Sequence, residues 1–355
     1  MKKSRWILTL ATGAVVAGLG IGALAYIGTS GVEAQSPGLP TTMAWMPAGA
    51  SVVGHVELTS LFNSPFRDTW TRAIEEQDPS GELAEFRETT GVDPLTDLYR
   101  MSFAVVTSDE LGNSAGAAPA RPLPQSWGIS IQGAFDSQSL LAKMKQFADI
   151  ELEQYQGTTI YYPVRRWADD DPAAEPDDNE TPLGIGEAPA FAFASGDTLL
   201  MGDRDYIRRM LDTGQRRAES AVAALDQNWG EGTFLNDTFW ISAAPEKGFG
   251  GMLPRGGQIP PIQSLALSGR FDNDVALRAR GLAANLDSAI KLAEVVRGFV
   301  ALGSLQQGSN PDIRSVLDSV QIDQFENAVE LSLSVPYETL ERLSARAEHP
   351  EAEDH

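Results

Sequence analysis

The chain has 355 residues, with 27 Lys and Arg against 49 Asp and Glu, so its formal net charge is −22 at pH 7. Such an acidic protein repels nucleic acid and anionic lipid headgroups, and we expect no nucleic-acid partner. The absence of cysteine excludes disulfides, thiol nucleophiles and a lipid-modified cysteine, so packing alone must stabilise a chain of about two domains' length.

The N-terminus has the pattern of a membrane anchor. Lys2, Lys3 and Arg5 precede a run without charge from Trp6 to Thr29. At about 1.5 Å per helical residue, this run can cross a hydrocarbon core of about 30 Å. The basic residues orient the N-terminus toward the cytoplasm. We therefore expect residues 1–34 to form a single-pass anchor in a bacterial inner membrane, with the bulk of the chain periplasmic or extracellular.

A cleaved signal peptide is the alternative for the same segment. Val32 and Ala34 are small residues at the spacing that signal peptidase requires. Cleavage after Ala34 would release a secreted or periplasmic protein. The apolar run exceeds the roughly 7–15 residues usual for a signal peptide, which favours retention. Residues 35–44, which contain two prolines, are expected to form a tether.

Strands, tight turns and amphipathic helices recur beyond the tether. A strand over Trp127–Gly133 precedes a helix, and the strands Phe191–Ser195 and Thr198–Gly202 form a hairpin before another helix. Asp203 is expected to cap this second helix. Its buried face is predicted to consist of Tyr206, Ile207, Met210 and Leu211.

The same order returns toward the C-terminus. A strand over Val275–Leu282 precedes a long helix, and two strands follow it with a turn at Glu326-Asn327. The inward face of the long helix is predicted to contain Leu286, Ala289, Ile290, Ala293, Val296 and Val300. Strand pairs alternating with helices predict an α+β protein: antiparallel sheets layered by helices, in two related lobes, preceded by one transmembrane helix.

One short motif supports the two-lobe prediction. Gly133-Ala134-Phe135-Asp136 recurs as Gly269-Arg270-Phe271-Asp272. Glycine permits a close approach at the end of a strand, the aromatic fills the interface between sheet and helix, and Asp caps the helix that follows. The motif therefore indicates a repeated structural unit rather than a catalytic site.

Composition divides the chain into segments. A first lobe is expected over 45–245 and a second over 262–347, joined by a Gly- and Pro-rich linker at 246–261. The first lobe contains two segments expected to be disordered inserts, near 108–125 and 168–187. An acidic tail is expected at 348–355.

Short turn and cap motifs follow one another along the chain: Met46-Pro47-Ala48-Gly49-Ala50, Leu61-Phe62-Asn63-Ser64-Pro65, Gly91-Val92-Asp93-Pro94, Gly133-Ala134-Phe135-Asp136, Tyr155-Gln156-Gly157-Thr158-Thr159-Ile160-Tyr161, and Phe191-Ala192-Phe193 leading to Gly202-Asp203. In this order of motifs, the chain resembles a group of uncharacterised exported bacterial proteins built from domains of unknown function. The resemblance covers most of 45–347 and implies one N-terminal membrane helix and a duplicated α+β region outside the cytoplasm; it supplies no catalytic residues.

No sequence motif indicates catalysis or a cofactor. His55 is the one histidine outside the C-terminal tail, and its apolar neighbours favour a sheet residue over a general base. The acidic segment 169–180 lacks the loop pattern of a calcium site, so we expect a solvated loop, with weak Ca²⁺ association as the alternative. We therefore expect a non-enzymatic protein without cofactor or metal, with an unrecognised hydrolase as an alternative.

Aromatic residues give the remaining functional hypothesis. Tyr161, Tyr162 and Trp167, with Arg165 and Arg166, form a candidate surface for a ligand or partner beside the acidic insert. We expect a membrane-tethered protein with a binding or envelope-organising role and an envelope protein as its partner. A carrier or sensor of an apolar ligand is the alternative, and the oligomeric state stays open.

Overall fold

The computed structural model describes residues 40–68, 71–72, 74, 81–107, 124–147, 149–164, 189–221, 233–244, 260–307 and 311–348. The predicted anchor 1–34, the first half of the predicted tether (35–39), nearly all of the predicted linker and tail, and the predicted inserts apart from 124–125 lie outside these residues. No helix within the described ranges combines the length and hydrophobicity needed to cross a bilayer.

The described strands form one sheet in which every neighbouring pair is antiparallel. Its order is β11-β12-β10-β9-β8-β1-β2-β3-β7-β6-β5-β4. This confirms an antiparallel α+β architecture. The strands are β1 Val52–Val56, β2 Leu98–Thr107, β3 Pro124–Gly133, β4 Asp149–Tyr155, β5 Thr158–Val164, β6 Ala190–Ser195, β7 Thr198–Gly202, β8 Phe239–Ala243, β9 Ile262–Phe271, β10 Asp274–Ala283, β11 Gln321–Phe325 and β12 Ala328–Pro336.

Helices pack on both faces of the sheet. The α-helices are α1 Leu58–Asn63, α2 Glu82–Thr90, α3 Ser137–Phe147, α4 Arg204–Gly214, α5 Leu286–Gln307, α6 Pro311–Asp318 and α7 Tyr337–Glu348. Short 3₁₀ helices lie at Thr41–Trp45 and Thr233–Asn236. The first of these overlaps the predicted tether at 41–44, and Thr42 and Met43 within it are buried, so packed structure begins before Trp45.

Helix α4 covers one face of the sheet in the first half of the chain. The four residues predicted to form its inner face, Tyr206, Ile207, Met210 and Leu211, are all buried. Asp203 stands at the predicted cap position, but no hydrogen bond from its side chain caps the helix. Its carboxylate instead accepts the backbone N–H of Trp127 at 2.7 Å, which joins the start of α4 to β3.

Helix α5 covers the opposite face beside β10, β11 and β12. Ala289 and Ala293 are buried as predicted. Leu286 and Ile290 are 52% and 41% exposed, so the prediction that they face inward was wrong. The helix is apolar on both sides, and periodicity therefore could not identify which side packs on the sheet.

The sheet is continuous across the predicted boundary between lobes. Strand β8 pairs with β1 on one side and with β9 on the other, and the segment predicted as a linker, 246–261, comes between β8 and β9 in the sequence. Asp136 accepts the backbone N–H of Gln138 at 3.1 Å and caps α3, as the motif predicts. In the second occurrence of the motif, Gly269 lies inside β9 and Asp272 lies in the turn to β10, where no helix begins.

Candidate functional site

The structure separates the two described residues of the predicted aromatic surface. Tyr161 and Tyr162 are neighbours in β5, and consecutive strand residues point to opposite faces of a sheet. Tyr162 packs with the core beneath α4, whereas Tyr161 contacts aromatic rings on the other face. Arg165, Arg166 and Trp167 lie outside the described residues. The two tyrosines therefore do not share one surface.

Tyr162 belongs to an ion-pair network at the edge of the sheet. Its hydroxyl donates to Glu153 at 2.7 Å, and the Arg204 guanidinium lies 4.0 Å from the centre of its ring. Arg208 donates to both oxygens of Glu153, at 2.8 and 2.6 Å. These hydrogen bonds, with those from Arg208 the largest cause, lower the pKa of Glu153 to about 2. The network holds α4 against β4 and β5, which gives it a structural role.

Tyr161 lies in an aromatic cluster on the opposite face. Its ring stacks on Phe191 at 5.0 Å between centroids and meets Phe193 edge-on at 6.0 Å. Phe191 is 1% exposed, so most of this cluster is already packed. Leu152 of the edge strand β4 is 60% exposed. The cluster is therefore mainly core, with one apolar side chain left at its margin.

His55 lies at the centre of a buried polar network rather than in a cleft. Its Nδ1 is 2.8 Å from the hydroxyl of Ser102, which is itself 2.7 Å from the hydroxyl of Thr42. Its Nε2 is 3.2 Å from Glu57, which also pairs with Arg100 at 3.4 Å. Burial lowers the pKa of His55 below its ordinary value of 6.5 and keeps the ring neutral at pH 7.

The network contains a serine, a histidine and a carboxylate, which are the residue types of a hydrolase catalytic triad. Catalysis would require Ser102 to be accessible as a nucleophile and His55 to act as its base. Ser102 and His55 are both 0% exposed, and the serine hydroxyl is shared with Thr42. A nucleophile must meet its substrate, and a general base must lie within reach of the proton that it takes. The arrangement therefore supports a structural role: the network fastens the 3₁₀ helix Thr41–Trp45 to the central strands β1 and β2.

An open cleft of about 590 Å³ lies between α1 and the turn from β9 to β10. Its lining is mainly polar: Ser60, Asn63, Ser64, Pro65, Phe271, Asp272, Asn273 and Asp274. A carrier of an apolar ligand needs a largely apolar, enclosing cavity, and this cleft does not have that character. Within the described ranges, no group of three or more His, Asp or Glu is placed to hold a metal ion.

The most distinctive surface is on the C-terminal half of α5. Phe299, Leu302 and Leu305 are 66%, 50% and 83% exposed. Gly298 and Ala301 are also exposed and lie beside them on the helix. We call these five residues the α5 outer face. It is an apolar strip, about two helical turns long, on an otherwise acidic protein.

Sequence reasoning missed this face, although a signal for it is present. No charged residue occurs between Arg297 and Asp312, a span that contains the last ten residues of α5. An exposed helix normally carries charged or polar residues on its solvent side. The length of this uncharged span therefore indicates that the outer side of the helix is also apolar.

Comparison with known proteins adds little to this geometry. No protein-family model and no curated protein matches the chain. Crystal form III of TP0453 is similar at a TM-score of 0.47 and 8% identity, covering 88% of this chain and 99% of that one. Crystal form I of TP0453 gives 0.43 and 8%, covering 86% and 96%. The resemblance to exported bacterial proteins stays a prediction, and function has to be inferred from this chain's own residues.

Proposed function

We propose that this is a membrane-tethered extracytoplasmic protein with a non-enzymatic, binding or envelope-organising role, and that the α5 outer face is its contact surface. One observation carries the proposal. Eight large apolar side chains are exposed in the described residues, and three of them, Phe299, Leu302 and Leu305, lie together on the α5 outer face. Clustered exposed apolar residues mark interaction sites, whereas scattered ones do not.

The sequence supports the place in which this surface would act. The uncharged run Trp6–Thr29 is followed by only ten residues before Pro40, where the described structure begins. Ten extended residues span at most about 35 Å. A retained anchor would thus hold the folded region close to the outer surface of the inner membrane. Cleavage after Ala34 would instead leave a soluble protein with the same surface.

The proposal includes a duplication of the folded region. Outward from the central pair β1 and β8, the sheet order is β1-β2-β3 followed by β7-β6-β5-β4 on one side, and β8-β9-β10-β12-β11 on the other. Apart from the β6–β7 hairpin, both sides have the same order, with a helix between the third strand and the outer hairpin. This supports two related lobes in which β10, rather than β9, corresponds to β3.

Photocrosslinking in intact cells tests the contact surface. A photoreactive amino acid replaces Leu302 in one variant and Asp287 in a control variant. Asp287 is a suitable control because it is exposed on the same helix but lies outside the α5 outer face. We expect an adduct of defined mass at 302 that is absent at 287 and lost when Leu305→Asp is added. Equal adducts at both positions, or none at either, would overturn the proposal.

A further inference from the structure

We infer that the α5 outer face binds the α5 outer face of a second copy of this chain, in an antiparallel pair of helices around a two-fold axis. This inference rests on the proposed function, because it names the partner of the same surface. Three features favour a second copy: an otherwise unexplained glycine, the match between large and small side chains, and the distribution of charge.

Gly298 is the first feature. A Cβ built on this residue meets no atom within 4 Å, so nothing in the described fold requires a glycine here. Glycine inside an exposed helix is less stable than alanine. Small residues on a helix surface let a second backbone approach closely, as at interfaces between helices. Gly298 is therefore explained by a second helix lying against α5, and a fluid lipid surface would gain nothing from it.

The second feature is the fit of α5 to itself. When two copies run antiparallel around an axis between positions 301 and 302, Gly298 of one copy lies opposite Leu305 of the other. Ala301 lies opposite Leu302 of the second copy in the same register. Each large side chain then meets a small residue, and an interface around a two-fold axis uses the same patch on both copies. The helix thus supplies both the knobs and the spaces that receive them.

The third feature is charge. Two copies with a net charge of −22 repel each other over most of their surfaces. The α5 outer face lies within the uncharged span between Arg297 and Asp312, where apolar surface is buried without bringing carboxylates together. In the antiparallel register, Glu294 of one copy lies opposite position 309 of the other, beyond the end of its helix. Arg297 lies opposite position 306, but its guanidinium donates to the carbonyl of Ile322 in its own chain at 3.5 Å. No carboxylate therefore enters the contact.

The size of the patch sets where the pair should form. From the exposed fractions of Phe299, Leu302 and Leu305, each copy contributes roughly 350 Å² of apolar surface. A stable interface buries about 800 Å² per partner, so the pair should be weak in dilute solution. Two copies tethered in one membrane meet at a much higher effective concentration. We expect the pair in membranes, with the full chain.

Crosslinking through single cysteines tests the pair without competing thiols, since the chain has no cysteine. The full chain carrying Ala301→Cys is made in cells, and its membranes are treated with a short bismaleimide. Ala301 lies beside the proposed axis. The control is Asp287→Cys, because the two copies of position 287 would lie about 44 Å apart at opposite ends of the pair. We expect the 301 variant to form covalent dimers at least about tenfold faster than the control.

A second substitution tests the close approach. Gly298→Leu, added to Ala301→Cys, should reduce dimer formation about tenfold, because the side chain fills the space that receives Leu305. The space around Gly298 is open, so this variant should fold normally, and circular dichroism checks that it does. Lys291→Leu is the matched control: it adds a leucine to an exposed position of α5 outside the contact. It should leave crosslinking unchanged.

The remaining outcomes separate this inference from the proposed function. Equal dimer formation at positions 301 and 287, or none at 301, would overturn the antiparallel pair. If the photoreactive residue at 302 then forms adducts with another protein or with lipid, the contact surface stands and its occupant is different. If it forms no adduct at all, both the pair and the proposed function fail.

Discussion

Replacing Ser102 with alanine should destabilise the protein strongly, because its hydroxyl joins two other buried groups. The Oγ atom is 2.8 Å from His55 Nδ1 and 2.7 Å from the hydroxyl of Thr42, and Ser102 and His55 are 0% exposed. A buried polar group left without its partner costs about 1–3 kcal/mol. With two groups affected, we expect Ser102→Ala to lower the free energy of unfolding by about 2–3 kcal/mol.

The adjacent strand supplies a matched control. Ser130 lies directly opposite Ser102 in the β2–β3 ladder and is also 0% exposed. Its hydroxyl has no hydrogen-bond partner among the described residues. Ser130→Ala thus removes a buried polar atom that makes no bond, and the change should be neutral or slightly stabilising, within about 0.5 kcal/mol.

Urea denaturation followed by circular dichroism measures the difference between the two variants. With a slope of about 3 kcal/mol per molar urea, the Ser102→Ala midpoint should fall by about 0.7–1 M. The Ser130→Ala midpoint should stay at or above that of the unmodified protein. Equal midpoints for the two variants would refute the view that the His55 network fastens the N-terminal 3₁₀ helix to the sheet.

Three further predictions concern ion pairing, pH and the glycine of α5. Glu153→Gln should lower the free energy of unfolding by about 1 kcal/mol, because it weakens the pairing with Arg208 at a partly exposed site. The pKa of this carboxyl is lowered from 4.5 to about 2 in the folded protein. Its contribution to stability should therefore be present above pH 4.5 and lost as the pH falls toward 2. Urea titrations across pH check this, and a pH-independent difference would contradict it. Burial lowers the pKa of His55, so the folded protein binds its proton more weakly than the unfolded chain, and stability should fall as the pH drops below 6.5. His55→Gln should flatten that pH dependence, and an unchanged slope would exclude His55 as its source. Gly298→Ala should raise the free energy of unfolding of the monomer by about 1 kcal/mol and slow the formation of dimers through Ala301→Cys. An increase in both the stability and the rate of dimer formation would argue against close contact between the helices.

Local patterns predicted local structure well. The inner face of α4 is a set of four apolar residues at helical spacing, and all four are buried. The turn at Glu326-Asn327 joins β11 to β12 as expected, with Glu326 in the left-handed region at φ 50°. In both cases the determining interactions lie within about one turn of helix or one hairpin, so the sequence records them directly.

Long-range arrangement was not available from the same patterns. The central pairing of β1 with β8 joins residues almost two hundred positions apart, and no local signal selects it. Position in the sheet also determines the role of Asp272. It ends the same short motif as Asp136, but it lies in the turn of a hairpin instead of capping a helix. Helix α5 shows the same limit, because both of its sides are apolar and only packing reveals that Leu302 is exposed.

The proposal that the α5 outer face lies outside the cytoplasm and is covered by a partner can be tested by labelling single cysteines. A membrane-impermeant maleimide is added to unbroken cells for this purpose. Asp287→Cys should react readily, because position 287 is exposed on α5 and the proposed function places it outside the cytoplasm. Leu302→Cys should be protected in the same cells, because a partner covers the α5 outer face, and should react as readily as position 287 once dilute detergent separates the copies. No labelling of position 287 until the cells are broken would contradict the extracytoplasmic location. Equal labelling of both positions in unbroken cells would contradict the covered surface.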